Sequence, residues 1–229
     1  NGVTGRPEDI RDEAAIETVA LFAQDEWRVA ERTTLTLGAR QYRVEGRREE
    51  TNRAGLAPAT QSDAQLIASL GLSHELGDNL VLRASVAQGY VYPSLLQFAT
   101  GAYAASRYVN PNPDLEAETA LSWEGGLRAR AADWVFDAGV FRTGSEDYID
   151  HVFCAPSDGC LSARDKIYVN IGESTAEGLE LYAARAGGDA AWRPYASLTW
   201  MRRENRYESF VTEDSGTPGV SGTLGVSWE

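Results

Sequence analysis

Residues 80–98 read LVLRASVAQGYVYPSLLQF, and residues 110–130 read NPNPDLEAETALSWEGGLRAR. In both stretches apolar and polar side chains alternate, which is the two-residue period of a β-strand. The polar positions carry charged side chains interspersed with small ones. Two strands are therefore predicted, joined by a loop rich in aromatic residues and stiffened by prolines. The apolar positions are Leu80, Leu82, Ala84 and Val86 in the first run, and Leu121, Trp123 and Leu127 in the second.

The alternation admits two interpretations. In a soluble sheet the apolar face covers a core, whereas in an outer-membrane barrel it faces lipid and the polar face lines the lumen. Arg83, Glu124 and Arg128 on the polar face require water or partners, and this favours the barrel. We expect Leu35, Leu70, Leu82, Trp123, Phe136, Leu181 and Val226 to share the convex, lipid-facing side.

The same pattern runs through the rest of the chain and predicts an all-β, antiparallel, up-and-down meander of about nine strands. Short connections fall near residues 31, 78, 132 and 188, and long ones span about 47–62, 93–117, 153–165 and 204–217. Bacterial outer-membrane barrels have short periplasmic turns and long extracellular loops. The predicted strands are Thr18–Val29, Thr33–Gly46, Gln65–Glu75, one from Leu80, one ending at Arg130, one from Trp134, then Lys166–Arg185, Trp192–Arg203 and Ser221–Trp228.

Composition excludes other classes of protein. The formal net charge of −13, from 21 basic and 34 acidic residues, argues against nucleic-acid binding because a polyanion would be repelled. The sequence contains no run of about 18 apolar residues, so no transmembrane helix is predicted. There is also no cleavable signal with a basic start and an apolar middle.

Six short motifs follow one another along the chain: Phe-Ala-Gln-Asp-Glu-Trp at Phe22–Trp27, Leu-Thr-Leu-Gly-x-Arg at Leu35–Arg40, Asn-Pro-x-Leu-x-x-Glu-Thr at Asn112–Thr119, Glu-x-Gly-Leu at Glu124–Leu127, Tyr-x-Asn at Tyr168–Asn170 and Gly-Leu-Glu at Gly178–Glu180. Each motif alone is weak, but their order along nearly the whole chain is specific. In this order the sequence resembles the barrel domain of TonB-dependent outer-membrane receptors.

The resemblance implies a barrel of about 22 strands around an N-terminal plug, on which TonB pulls to energise uptake. The cargo of such receptors is an iron-siderophore complex, haem, cobalamin or another scarce solute. The implied partners are therefore a small solute, outer-membrane lipid, the plug of the same parent chain and, through the plug, TonB. No cofactor and no metal site is implied. Because the chain has no TonB box and no plug, and an odd strand count, we expect residues 1–229 to form a middle section of the barrel.

If the resemblance holds, an anionic iron chelate is the expected cargo. Arg40 lies on the lumenal parity at mid-depth, and Arg48 and Arg203 lie toward the outer opening, where guanidinium groups could pair with carboxylate or catecholate oxygens. The loop from Tyr92 to Tyr108 would supply flat surfaces above them. The same arginines could instead pair with carboxylates of the plug and barrel. The candidate ligand-binding residues are Arg40, Arg48, Tyr92, Tyr103, Tyr108 and Arg203.

Cys154 and Cys160 lie in a predicted extracellular loop. A disulfide is the simplest interpretation of this pair, ahead of a metal pair or free thiols, because the chain passes through the oxidising periplasm. So small a ring would stabilise the fold by roughly 2 kcal/mol. His151 stands near Cys154, but a disulfide would consume the thiol that a catalytic Cys-His pair requires, and we expect no enzyme activity.

Other function classes share parts of this pattern. A passive porin or hydrophobic-solute channel would have the same barrel but no plug. An outer-membrane enzyme would need Ser, His and an acid together near the outer rim, where His151 stands alone. A soluble β-sandwich binding module would dissolve without detergent.

Overall fold

The structure is a computed structural model that describes residues 11–52, 56–104, 107–160, 162, 164–187, 191–207, 210–213 and 218–228. Strands account for most of this part of the chain. They are β1 (Asp12–Ala30), β2 (Thr33–Thr51), β3 (Ala59–Glu75), β4 (Leu80–Val91), β5 (Ala102–Ala104), β6 (Arg107–Asn110), β7 (Glu118–Ala131), β8 (Trp134–Phe153), β9 (Lys166–Arg185), β10 (Trp192–Arg206), β11 (Val211–Glu213) and β12 (Val220–Trp228). A single π-helical turn, Leu96–Thr100, precedes β5.

The nine long strands form one antiparallel meander, as the sequence predicts. They pair in the order β1-β2-β3-β4-β7-β8-β9-β10, and β12 pairs with β10. Connections alternate between short, at 31–32, 76–79, 132–133 and 186–191, and long, at 52–58, 92–117, 154–165 and 207–219. Three short strands in the long connections, β5, β6 and β11, were not predicted, because runs of three or four residues carry no measurable periodicity.

The pairing register places the seven predicted lipid-facing residues on one side of the sheet. Directly paired residues of antiparallel strands share a face. The pairs that connect the set include Leu35 with Leu72, Leu70 with Val86, Leu82 with Leu127, Val86 with Trp123, Phe136 with Ala183, Leu181 with Leu198 and Pro194 with Val226. We call this the apolar face. The opposite side, which carries Arg83, Glu124, Asp137 and Glu180, is the polar face.

The apolar face is uncovered in the described part of the chain. Leu224 is 86% exposed, Leu21 80% and Trp123 48%. A soluble sandwich would bury such side chains in a core, whereas lipid solvates them without penalty, so the exposure favours a membrane barrel. Among the described residues no helix is long and apolar enough to cross a membrane.

Several strand ends extend beyond the predicted bounds, by one to six residues. β1 begins at Asp12 rather than Thr18, and the β1–β2 ladder continues to the pair of Asp12 with Thr51. The predicted loop at 47–62 is shorter for the same reason, since Arg48 still pairs with Ala59. These extensions carry polar side chains on both faces, so backbone pairing persists where the alternation that predicts a strand has disappeared.

The only described residues that form a compact core surround the connection between β4 and β7. We call this connection, residues 92–117, the strap. Its side chains Phe98, Ala99 and Leu115 are 0% exposed, and Val109 is 1% exposed. Val44, Ile149 and Ile171 of the sheet are similarly buried. The strap is therefore a folded part of the molecule, although the sequence predicts only a loop.

Candidate functional site

Arg48 fixes one end of the strap. It lies on β2 and is 3% exposed. Its Nε donates to the carbonyl of Ala57 at 2.7 Å, and its Nη1 donates to the carbonyl of Ala99 at 3.0 Å. Burial lowers the pKa of the Arg48 guanidinium, and the charge of Asp12 opposes that shift. The sequence predicts Arg48 as a ligand arginine, whereas the structure gives these two donors to carbonyl groups of the chain itself.

Side-chain amides fix the other end of the strap to β9. Asn110 donates to the carbonyl of Lys166 at 2.9 Å, and Asn112 donates to the carbonyl of Tyr168 at 3.0 Å. Asn170 of β9 accepts from the backbone N–H of Glu116 at 2.9 Å and donates to its carbonyl at 3.0 Å. Because β2 and β9 are separated by β3, β4, β7 and β8 in the sheet, the strap spans the polar face from one side to the other.

The three predicted tyrosines take different positions on the strap. The Tyr92 hydroxyl donates to the carbonyl of Gln61 at 3.1 Å, and a Cβ at Gly46 would lie 2.7 Å from that hydroxyl. Tyr108 donates to the carbonyl of Thr100 at 2.6 Å, and its ring lies 5.2 Å from that of Tyr103. Only Tyr103 is largely exposed, at 72%.

Gly101 allows the turn that brings Tyr108 back to the π-helical residues. Its φ of 67° is a left-handed conformation that favours glycine. A Cβ at this position would also collide with the Tyr108 hydroxyl and the Val109 carbonyl. The backbone freedom of Gly101 therefore determines where the β5–β6 hairpin begins.

Arg40 lies below the strap on the same strand as Arg48, on the polar-face alternation. Its guanidinium carbon is 4.7 Å from the centroid of the Tyr42 ring and 5.7 Å from that of Phe22. The Tyr42 ring lies 5.1 Å from the ring of Tyr90, whose hydroxyl donates to Asp63 at 2.8 Å. Arg40 and Arg48 are eight residues apart in sequence, which places Arg40 roughly 25 Å along the strand from the strap.

Arg203 lies on β10 opposite Ala176 of β9 and is half-buried. The structure does not bring it into contact with Arg40 or Arg48 among the interactions described. Lower on the polar face, Asp137 accepts from both Arg83, at 2.6 Å, and Arg128, at 2.7 Å. This triad surrounds a hollow that Glu124, Glu180 and Tyr182 also line.

Cys154 and Cys160 form a disulfide in the long connection between β8 and β9, with Cα atoms 6.3 Å apart. Beside it lies a group that sequence reasoning did not select. The Arg107 guanidinium carbon is 4.9 Å from the centroid of the Phe153 ring, and Lys166 Nζ is 5.5 Å from it. Lys166 Nζ is also 3.3 Å from His151 Nε2. We call Arg107, His151, Phe153, Lys166 and Tyr168 the outer-rim cluster.

The sequence model of the family described as TonB dependent receptor-like, beta-barrel, matches residues 1–229. The chain belongs to this family. Family members are receptors and transporters of the outer membrane. The resemblance read from the six motifs is thereby confirmed.

Individual TonB-dependent receptors are similar over limited parts of their length. The ferrienterobactin receptor of Escherichia coli (strain K12) is 28% identical over 123 residues, which cover 49% of this chain and 16% of that receptor. The copper transporter OprC superposes with a TM-score of 0.76 at 19% identity, over 95% of this chain and 32% of OprC. The ferric-catecholate import receptor Fiu from E. coli K12 superposes with a TM-score of 0.66 at 21% identity, over 95% and 32%. These two structures support the fold, and the chain spans about a third of their length.

The residues of the outer-rim cluster come from three separate parts of the chain. Arg107 comes from the strap, His151 and Phe153 from β8, and Lys166 and Tyr168 from β9. The pairing of Phe153 with Lys166 and of His151 with Tyr168, together with the parallel pairing of β6 with β9, brings the ring residues and cations together. His151 Nδ1 is bonded to Asp150 at 2.8 Å, and the Cys154 sulphur is in the disulfide.

Proposed function

We propose that this chain is one section of the barrel of an outer-membrane receptor that takes up an anionic iron chelate of the catecholate class. TonB supplies the energy through a plug that the same parent protein places against the polar face. The sequence similarity to the ferrienterobactin receptor supports this cargo, and the exposed apolar face supports the location in a membrane.

The observation that carries the proposal is the environment of Arg40. Its guanidinium lies over the rings of Tyr42 and Phe22, and no carboxylate is paired with it among the residues that the structure describes. In a chain with 34 acidic residues, an arginine held by rings alone retains its five donors for a bound anion. Charge-assisted hydrogen bonds to a partly desolvated anion contribute roughly 1.5–3 kcal/mol each.

Binding of ferric enterobactin to the complete receptor tests this role of Arg40. We expect Arg40→Ala to raise the dissociation constant at least tenfold, equivalent to about 1.4 kcal/mol. The matched control is Arg32→Ala, since Arg32 lies in the short turn at the other end of β2 and pairs with the exposed Asp78 at 3.2 Å. Equal binding by both variants, or binding only of a neutral chelate, would contradict the proposal.

Arg48 contributes to this function by positioning the strap, because its described donors bind backbone carbonyls. Deletion of Tyr92–Tyr108 together with Arg48→Ala and Arg203→Ala should raise the same dissociation constant at least tenfold. If Arg48 acts through the strap, Arg48→Ala adds nothing once the strap is removed. A further loss of affinity in the strapless receptor would show instead that Arg48 contacts the ligand.

Energised uptake separates this proposal from a passive channel with the same barrel. Cells that express the complete receptor should accumulate the iron chelate only when TonB is present. Equal accumulation in cells without TonB would favour the passive channel.

A further inference from the structure

A groove crosses the apolar face near the end of the sheet that carries the short connections. It has a volume of about 450 Å³ and lies mainly across β7, β8, β9 and β10. Ala183 and Ala196, which pair with each other, are among its lining residues, and so are the larger Phe136 and Leu198. Phe136 and Leu198 are 43% and 45% exposed, so no side chain in the described part of the chain covers the groove.

One end of the groove lies at the boundary between the membrane and the periplasm. Arg185 follows Ala183 on the same face of β9 and pairs with Trp134, the first residue of β8. Trp134 stacks against Phe136 with ring centroids 6.1 Å apart, and aromatic residues on the lipid-facing side mark the interfaces of outer-membrane barrels. The next charged residue on the apolar face of β9 is Glu177, and the stretch 177–185 matches the roughly nine to eleven residues of one tilted crossing. Arg185 therefore lies at the depth of the phospholipid headgroups of the periplasmic leaflet.

Arg185 and Asp133 form a charge pair at this depth. Arg185 Nη2 donates to Asp133 at 2.9 Å, and the two side chains are 32% and 39% exposed. Within the described ranges neither side chain makes another hydrogen bond, so Arg185 keeps donors and Asp133 keeps an acceptor oxygen. The backbone N–H groups of Ala186 and Gly187 donate to the Asp133 carbonyl at 2.7 and 3.2 Å, which ties two short connections together. The pair is thus positioned before any ligand arrives, and this reduces the entropy lost on binding.

We propose that the groove and the pair of Arg185 with Asp133 form a binding site for a phospholipid with a zwitterionic headgroup that carries a primary ammonium, as in phosphatidylethanolamine. The phosphate accepts from Arg185, the ammonium donates to Asp133, and one acyl chain lies in the groove over Ala183. The two charges favour this occupant. An anionic headgroup would leave Asp133 without a cation of its own, and a second barrel docked on the groove would remove both charges from water. The site is independent of the cargo of the receptor.

Native mass spectrometry of the complete receptor, titrated in detergent with lipids of identical acyl chains, tests the headgroup contacts. Phosphatidylethanolamine should bind at least tenfold more tightly than phosphatidylcholine, whose trimethylammonium has no N–H to donate. It should also bind at least tenfold more tightly than phosphatidylglycerol, which has no cation for Asp133. Arg185→Gln should raise the dissociation constant of phosphatidylethanolamine at least tenfold, and Asp133→Asn should remove its preference over phosphatidylglycerol.

Ala183→Leu tests the acyl-chain contact, because it fills the groove and leaves the charge pair intact. It should raise the dissociation constants of all three lipids at least fivefold and keep their order. The matched controls are Ala39→Leu, the same change on the apolar face of β2, where Ala39 pairs with Ala68, and Arg142→Gln, which removes a cation of that face 3.7 Å from Glu177. Both controls should bind the lipids as the unmodified receptor does. Migration of every unheated variant on gels as the folded, heat-modifiable band verifies folding.

Equal binding of the three lipids would identify a non-specific lipid shell and overturn the inference. A preference for phosphatidylcholine would overturn it too, since the Trp134 ring and not Asp133 would then recognise the headgroup. Unchanged binding by Arg185→Gln, or equal effects of Ala183→Leu and Ala39→Leu, would have the same consequence. A dimer of the unmodified receptor that Ala183→Leu separates would assign the groove to a second copy of the chain instead. No iron chelate is present in the titration, so the outcome is separable from that of the proposed function.

Discussion

The apolar face of the meander and the strap are stabilised in opposite ways. Leu21 and Leu224 on the apolar face are 80% and 86% exposed, whereas Phe98 and Leu115 in the strap are 0% exposed. The meander depends on ladder hydrogen bonds and on a solvent that accepts apolar side chains. The strap depends on buried packing and on side chains that bond to backbone carbonyls. One molecule thus combines a sheet with a lipid-facing side and, at the outer end of that sheet, a small buried core of the kind found in water-soluble proteins.

The largest expected effect is local to the strap. Phe98→Ala removes a side chain that is fully buried, and filled cores lose about 3–5 kcal/mol in such a change. We expect the strap to open while the meander stays folded. Trypsin should then cleave after Arg107, while the unheated protein still migrates on gels as the folded, heat-modifiable band.

Leu96→Ala provides the control for this experiment. Leu96 belongs to the same π-helical turn but is 51% exposed, so its truncation should leave the strap resistant to trypsin. Equal cleavage of the two variants, or loss of the folded band in Phe98→Ala, would contradict the separation of the two regions.

A charge on the sheet should distinguish its two faces. Val86 and Ser85 are neighbours on β4 and point to opposite faces, since Val86 pairs with Trp123 and Ser85 with Glu124. Val86→Arg should destabilise the folded barrel by about 2–4 kcal/mol in lipid, because arginine is costly near the bilayer midplane. Ser85→Arg should be tolerated. Urea unfolding in lipid vesicles measures both, and equal effects would remove the basis for a lipid-facing side.

This comparison also explains what the sequence could predict. The strands of the meander were predicted because one face meets lipid and the other does not, which imposes a strict alternation on residues such as Leu82 and Arg83. The strap was not predicted, because its contacts join residues far apart in sequence, as Asn110 and Lys166 do across 56 positions.

Individual site residues show the same limit of prediction from sequence. The register confirms the polar-face position of Arg40, which alternation alone predicted. Arg48 has the same residue type and the same parity, yet it is buried beneath the strap. Its environment depends on the Ala99 carbonyl, 51 residues away, and no local pattern indicates that contact.

The disulfide is expected to have a smaller effect than either the packing or the lipid-facing change. Cys154 and Cys160 should react with an alkylating reagent only after reduction, which mass measurement detects. Reduction should lower the stability of the outer end by roughly 2 kcal/mol while the meander keeps its folded band. Two alkylatable thiols in the unreduced protein would contradict the pairing.

The smallest expected effect is a local loss of stability at low pH. Burial of Asp150 raises its pKa, but the hydrogen bonds from Tyr207 and His151 outweigh burial, so the pKa lies below its usual value of 3.8. A carboxyl with a lowered pKa in the folded state adds stability that is complete above the unfolded value and is lost as pH falls through the folded one. We therefore expect the contact between β8 and Tyr207 to loosen only below about pH 4.

Hydrogen exchange of the Tyr207 amide, which donates to the Phe210 carbonyl at 2.9 Å, should accelerate over that range. In Asp150→Asn the acceleration should be absent, since the amide cannot gain a proton there, and the same acid response in both proteins would assign the effect to another group.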